Sequence, residues 1–191
     1  MDCTNCQPKT CRDSDSCGIE KFESAEVIKD YHEPENQKIL QAAASLVDND
    51  KAGTLSRVQE TIAFIKRIGY KKIGLAYCYG MEKDAKIMKE LFNAEGIKLR
   101  TVSCTVRGID QNEINRNSCI ENVSCNPLGQ ARELNDEGVD FVIVMGICLG
   151  HDILLQRNLK SDFTTLVVKD RVFANAPLKA LDQYSKPIKL H

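Results

Sequence analysis

Histidine is scarce in this chain: three among 191 residues, one of them the final His191, so a histidine-rich metal site is excluded. A surplus of either charge is also lacking. With 26 Lys and Arg against 27 Asp and Glu, nothing marks a nucleic-acid surface or a polybasic membrane anchor. Long apolar runs are missing too; the longest, around 141–149, has roughly half of the ~20 residues needed to span a bilayer. The opening "MDCTNCQPKTC" has neither the basic nor the apolar stretch of a signal peptide. The chain is therefore expected to be cytosolic, where thiols stay reduced. Several familiar site signatures are absent as well. "AYCYGMEKD" stands where a Gly-x-Gly-x-x-Gly would follow a first strand, and no Walker loop, Gly-x-Ser-x-Gly elbow or His-Glu-x-x-His occurs.

Cysteine, by contrast, is abundant. Nine is high for a reducing compartment, and an odd number does not suit a closed disulfide set. Metal ligation or thiol chemistry becomes the leading account.

Residues 1–20 contain almost no core-forming side chains and form the first expected module; residues 21–191 form the second. The second begins with a helical stretch that breaks near "HEPEN" and resumes with Leu40, Ala43, Ala44 and Val47 on one face. Ser56 and Gln59 make a capping box for a helix carrying Val58, Ile62 and Ile65, which ends in basic residues and Gly69. Then one punctuation recurs. "RIGYKKIGLAYC", "AEGIKLRTVSC" and "DEGVDFVIVMGIC" each show a helix end, a glycine, a β-rich run and a cysteine at or near its far end. The helix between the first two, about 82–95, buries Ala85, Met88 and Phe92. A fourth run, "FTTLVV", leads into Lys169, Asp170 and Arg171. This alternation predicts an α/β fold: a doubly wound, mainly parallel four-stranded sheet of flavodoxin-like or Rossmann-like type.

Such a sheet binds ligands outside the carboxyl ends of its strands. Cys78, Cys104 and Cys148 follow strands one, two and three, so parallel strands predict all three thiols on one edge. Lys169 and Arg171 follow strand four there. Cys125 precedes "NPLGQARELN", in which Asn126 is a good N-cap and Pro127 suits the first helical position. A cysteine at a helix N-terminus is expected to favour thiolate. His151 falls near the start of the next helix, with Asp152 as its expected cap. Cys148-x2-His151 spacing suits two ligands on one ion, or a thiol beside an acid/base imidazole. Cys78, which alternates with Gly74 and Ala76, reads equally well as a small buried hydrophobe. Cys119, in a polar loop, looks incidental.

The amino-terminal array is Cys3-x2-Cys6-x4-Cys11-x5-Cys17. Two thiolates from a Cys-x2-Cys turn grip one metal, and two more complete a tetrahedral set. Structural zinc supplies roughly 10–16 kcal/mol of apparent binding energy in finger peptides, whereas this segment has no apolar surface to bury. A [4Fe–4S] cluster also takes four thiolates, though the spacing is not that of a ferredoxin run.

The array, "GYKKIGLAYCYGMEKDAK", "CNPLGQARELN", "GICLGHDIL" and "TTLVVKDRV" together resemble an uncharacterised family of anaerobic bacteria and archaea, a domain of unknown function regarded as metal-binding. The resemblance covers nearly the whole chain and implies metal binding at a cysteine-based site, without a reaction. It also implies that many members carry a further cysteine where this chain has Arg107, so one ligand or redox thiol is lost here.

The expectation is thus a cytosolic metalloprotein of redox character. Cys3, Cys6, Cys11 and Cys17 hold Zn²⁺ or an Fe–S cluster, and Cys104, Cys125 and Cys148 with Cys78 or His151 form a second metal, cluster or substrate site. Soft thiolates favour Zn, Fe–S or Cu(I) over Mg or Ca. If there is turnover, Cys148 is nucleophile or ligand, His151 the acid/base group, and Lys169 or Arg171 the anion-holding group. Expected partners are a metal ion or cluster, a small-molecule ligand or a redox partner protein. Two alternatives are a non-catalytic sensor with a structural zinc clip, and a thiol or sulfur-transfer enzyme using Cys125 and Cys148.

Overall fold

A computed structural model describes residues 2–13, 15–18 and 20–184; parts of both expected modules, and His191, lie outside the described residues. The chain divides into two compact units, Met1–Thr54 and Leu55–His191. No helix among the described residues is long and apolar enough to cross a membrane.

The first unit has a short 3-10 turn at Thr10–Asp13 and two helices, α1 (Ser24–Tyr31) and α2 (Pro34–Val47). The break near "HEPEN" falls as expected, because Pro34 opens a new helix at its first turn. The expected buried face of α2 does not form. Leu40, Ala43 and Val47 are exposed and Ala44 is half-buried, while Ala42 is the buried residue of that helix. Two short helices offer too little surface to cover one another's apolar stripes.

The second unit opens with α3 (Arg57–Ile68), where Ser56 and Gln59 form both halves of the capping box. Gly69 ends it at φ 86°, a left-handed cap that a side chain would strain. Then come β1 (Ile73–Tyr77), α4 (Glu82–Ala94), β2 (Leu99–Ser103), α5 (Gln111–Ile114), α6 (Pro127–Asp136), β3 (Phe141–Met145), α7 (His151–Asn158), β4 (Asp162–Val167) and α8 (Leu178–Gln183). The four strands form one sheet in the order β2-β1-β3-β4, every pairing parallel.

Strand periodicity divides the core in two. Ile73, Leu75, Phe141, Ile143 and Met145 pack with Ile62 and Ile65 of α3 and with Ala85, Met88 and Phe92 of α4. The alternate residues Ala76, Val142 and Val144 pack with Ala131 and Leu134 of α6 and Leu155 of α7. Helices therefore cover both faces, which is the doubly wound arrangement. Gly74 lets α6 come close: a Cβ there would lie 2.7 Å from Leu134 Cδ2. The chain turns outward from β1 to β2 and back across to β3, so its topological switch point lies between the carboxyl ends of β1 and β3. Beside it β4 carries an extra residue: Val144 pairs with Thr165 but Met145 pairs with Val167.

Candidate functional site

Backbone ladders bring the thiols to that switch point. Cys78 extends the β1–β3 ladder, its N–H donating to the Met145 carbonyl at 3.1 Å. Cys104 extends the β1–β2 ladder through its N–H to Tyr77 (2.9 Å). Asn126 caps α6 by accepting from the Gly129 N–H, and its own N–H donates to the Cys104 carbonyl at 2.6 Å. That bond pins the start of α6 to the end of β2 and places Cys125 beside Cys104. The two sulfurs are 3.6 Å apart.

Cys104 is 2% exposed and Cys78 5%, whereas Cys125 and Cys148 are half-buried. The Tyr79 backbone N–H donates to Cys104 Sγ at 3.3 Å. Lys169 Nζ donates to Cys78 Sγ at 3.6 Å, and Arg171 Nη2 donates to Cys148 Sγ at 3.1 Å. Both cations expected at this edge thus meet sulfur. His151 stands at the first position of α7, and its buried Nδ1 hydrogen-bonds to no described residue. Asp152 does not occupy the cap; Gly150 does, at φ 86°, and Asp152 Oδ1 accepts from the Gly150 and Ile153 N–H groups.

The expectation of a thiolate-prone Cys125 is corrected. Burial pushes its pKa up; contact with Cys104 and the charge of Arg171 oppose the rise, while Cys148 and Cys78 add to it. Burial pushes the Cys104 thiol up to about 12, with Cys125 and Cys78 adding to the rise against the pull of the Tyr79 N–H. Removal from water is the largest influence on both thiols. Two adjacent sulfurs cannot both become anions at neutral pH unless a cation joins them.

The residues present fit a soft metal ion in part. Two thiolates on one tetrahedral zinc, each about 2.3 Å from it, lie roughly 3.8 Å apart, close to the Cys104–Cys125 separation. Even so, no group of three His, Cys, Asp or Glu side chains that could hold a metal ion occurs among the described residues. The amino-terminal thiols are arranged differently. Cys3, Cys6, Cys11 and Cys17 line one hollow of about 140 Å³ together with Asp2, Lys9 and Arg12. Cys17 Sγ donates to Glu20 at 3.3 Å, and hydrogen bonds from its own backbone, Ser16 and Cys17 hold that carboxyl at about 2.

Gln130 is a site-building residue that sequence reasoning passed over. It is fully buried, and its Nε2 donates to the carbonyls of Tyr77 (3.2 Å) and Val102 (2.9 Å), clamping α6 across β1 and β2. The signal was there: Pro127, Gln130, Ala131 and Leu134 share the buried face of α6, so an amide sits at a core position. Arg107, for which the resemblance implied a cysteine in relatives, has φ 71° and donates to Glu133 from Nε and Nη2 (3.1 and 2.9 Å).

Residues 16–166 match the family described as "Protein of unknown function (DUF1847)", a span that begins after Cys3, Cys6 and Cys11. The chain is also 37% identical over 180 residues to "Uncharacterized protein MJ0455" of Methanocaldococcus jannaschii, covering 92% of this chain and 90% of that protein. No solved structure matches it.

Proposed function

The chain belongs to the DUF1847 family, and from that premise we propose that it is a cytosolic metal-binding protein whose metal is held by cysteine sulfur. The observation that carries this reading is the meeting of Cys104 and Cys125 at 3.6 Å, on the edge that also bears Cys78 and Cys148. Cys104, Cys125 and Cys148 would hold the ion, with Cys78 or His151 as a further ligand. Lys169 and Arg171, already against sulfur, would offset the negative charge that a thiolate set brings. The hollow lined by Cys3, Cys6, Cys11 and Cys17 would hold a second ion or cluster. Bound zinc would supply a structural or Lewis-acid centre, and an Fe–S cluster one-electron redox chemistry.

Purification of the full chain without air, followed by elemental analysis and a visible spectrum, tests this. Stoichiometric zinc or cluster absorbance is the expected result, and a metal-free, fully folded protein overturns it. A Cys104→Ser/Cys125→Ser variant should lose part of the metal while keeping its fold. Full retention would confine the metal to the amino-terminal array and make the edge a small-ligand site.

A further inference from the structure

We propose that Cys104 and Cys125 are a reversible dithiol–disulfide couple, in which Cys125 meets the oxidant and Cys104 resolves it. The proposal rests on the sulfur positions and not on metal binding. Each of the other two edge thiols accepts a hydrogen bond from a cation, Cys78 from Lys169 and Cys148 from Arg171, whereas Cys104 and Cys125 contact one another. Both partners are held. Cys104 is fixed by its N–H to Tyr77 and by its carbonyl to Asn126, which is the neighbour of Cys125.

The chain between them is already folded back on itself. Ser124 N–H donates to the Ile109 carbonyl (2.8 Å), Gln111 N–H donates to Asn122 (2.9 Å), and Asp110 and Val123 form an antiparallel bridge. The sulfurs must close from 3.6 Å to about 2.05 Å, and the loop that joins them already brings its two ends together.

Exposure assigns the order of events. Half-buried Cys125 is open to a small disulfide, and Cys104, 2% exposed, is not. The attacking species at each step is the thiolate, a small fraction at neutral pH because burial raises both pKa values, so the exchange is slow and quickens as pH rises. Cys125 sulfur attacks a low-molecular-weight disulfide R–S–S–R, forming a mixed disulfide and releasing one R–S⁻, which takes up the proton that Cys125 gave up. Cys104 sulfur then attacks the Cys125 sulfur, the mixed bond breaks, and the second R–SH leaves with the Cys104 proton. Two protein thiols are oxidised to one disulfide while the external disulfide is reduced to two thiols. A sulfur in that bond has no thiolate to offer a metal, so oxidation and metal binding at this edge exclude one another.

The test uses the full chain with Cys119→Ser, so that the tryptic segment 117–132 holds one cysteine and segment 101–107 holds the other. The protein is reduced, stripped of metal, exposed to glutathione disulfide and mapped by mass spectrometry. A reductant-sensitive link between those two segments is expected. With Cys104→Ser added, glutathione should stay on Cys125; with Cys125→Ser added, the adduct on Cys104 should fall at least about tenfold. Linkage of Cys125 to Cys78 or Cys148 instead would overturn the proposal. So would Cys104 and Cys125 both remaining alkylatable after the exposed Cys3 and Cys11 have been oxidised. Because the metal is removed first, this result is independent of the metal content measured on purified protein.

Discussion

The two units place cysteines in opposite physical settings. In Leu55–His191 the sheet comes first and the thiols follow: Cys78 and Cys104 extend strand ladders, and Cys125 is set by the cap of α6. Their positions follow from hydrocarbon packing on both faces of β1 and β3. In Met1–Thr54, no residue of the Thr10–Asp13 turn or of α1 is buried, and α2 buries only Ala42. Cys3 and Cys11 are exposed there, around a hollow that Asp2, Lys9 and Arg12 also line. The edge site is scaffolded by the fold, whereas the described residues around the amino-terminal thiols have almost no buried side chains to scaffold them.

The comparison breaks most visibly in the core. Ile143→Ala, at a fully buried position of central β3, should cost about 2–5 kcal/mol in urea unfolding, an effect with no counterpart in the first unit. A smaller cost would mean that the sheet does not hold the edge thiols as tightly as their ladders indicate. Alkali sharpens the contrast next. Below pH 9.0, the ordinary value for Cys104, this thiol is protonated both folded and unfolded, and its contribution to stability is whole. Between pH 9 and about 12 the unfolded chain ionises while the folded protein keeps the proton, so stability falls with rising pH. For reduced, metal-free protein the denaturation midpoint should fall across this range, and Cys104→Ala should flatten its pH dependence. Equal curves for the two proteins would refute it. The smallest effect belongs to the array: Cys6→Ser should shift global unfolding by less than about 0.5 kcal/mol while lowering metal content. A larger shift would show that the array's order supports the second unit.

What could be read from the residues alone was local and periodic. The Ser56–Gln59 capping box, the Gly69 stop, the Asn126–Pro127 start and the buried face of α4 all lie as expected, because caps and helix stripes depend on neighbours within one or two turns. Alternation of glycine, β-run and cysteine was likewise enough for a parallel α/β sheet with thiols at one edge, since parallel strands point the same way whatever their order.

Tertiary structure alone decided the rest. The order β2-β1-β3-β4 puts the switch point between β1 and β3, and no crossover length encodes that choice. Cys125 partners Cys104, not Cys148, because the Asn126 N–H bond ties α6 to β2. Its pKa rises chiefly through burial, a property of the packed whole. A sequence carries the short-range chemistry of each element; which side chains touch, and how much water they lose, exists only once the elements are stacked.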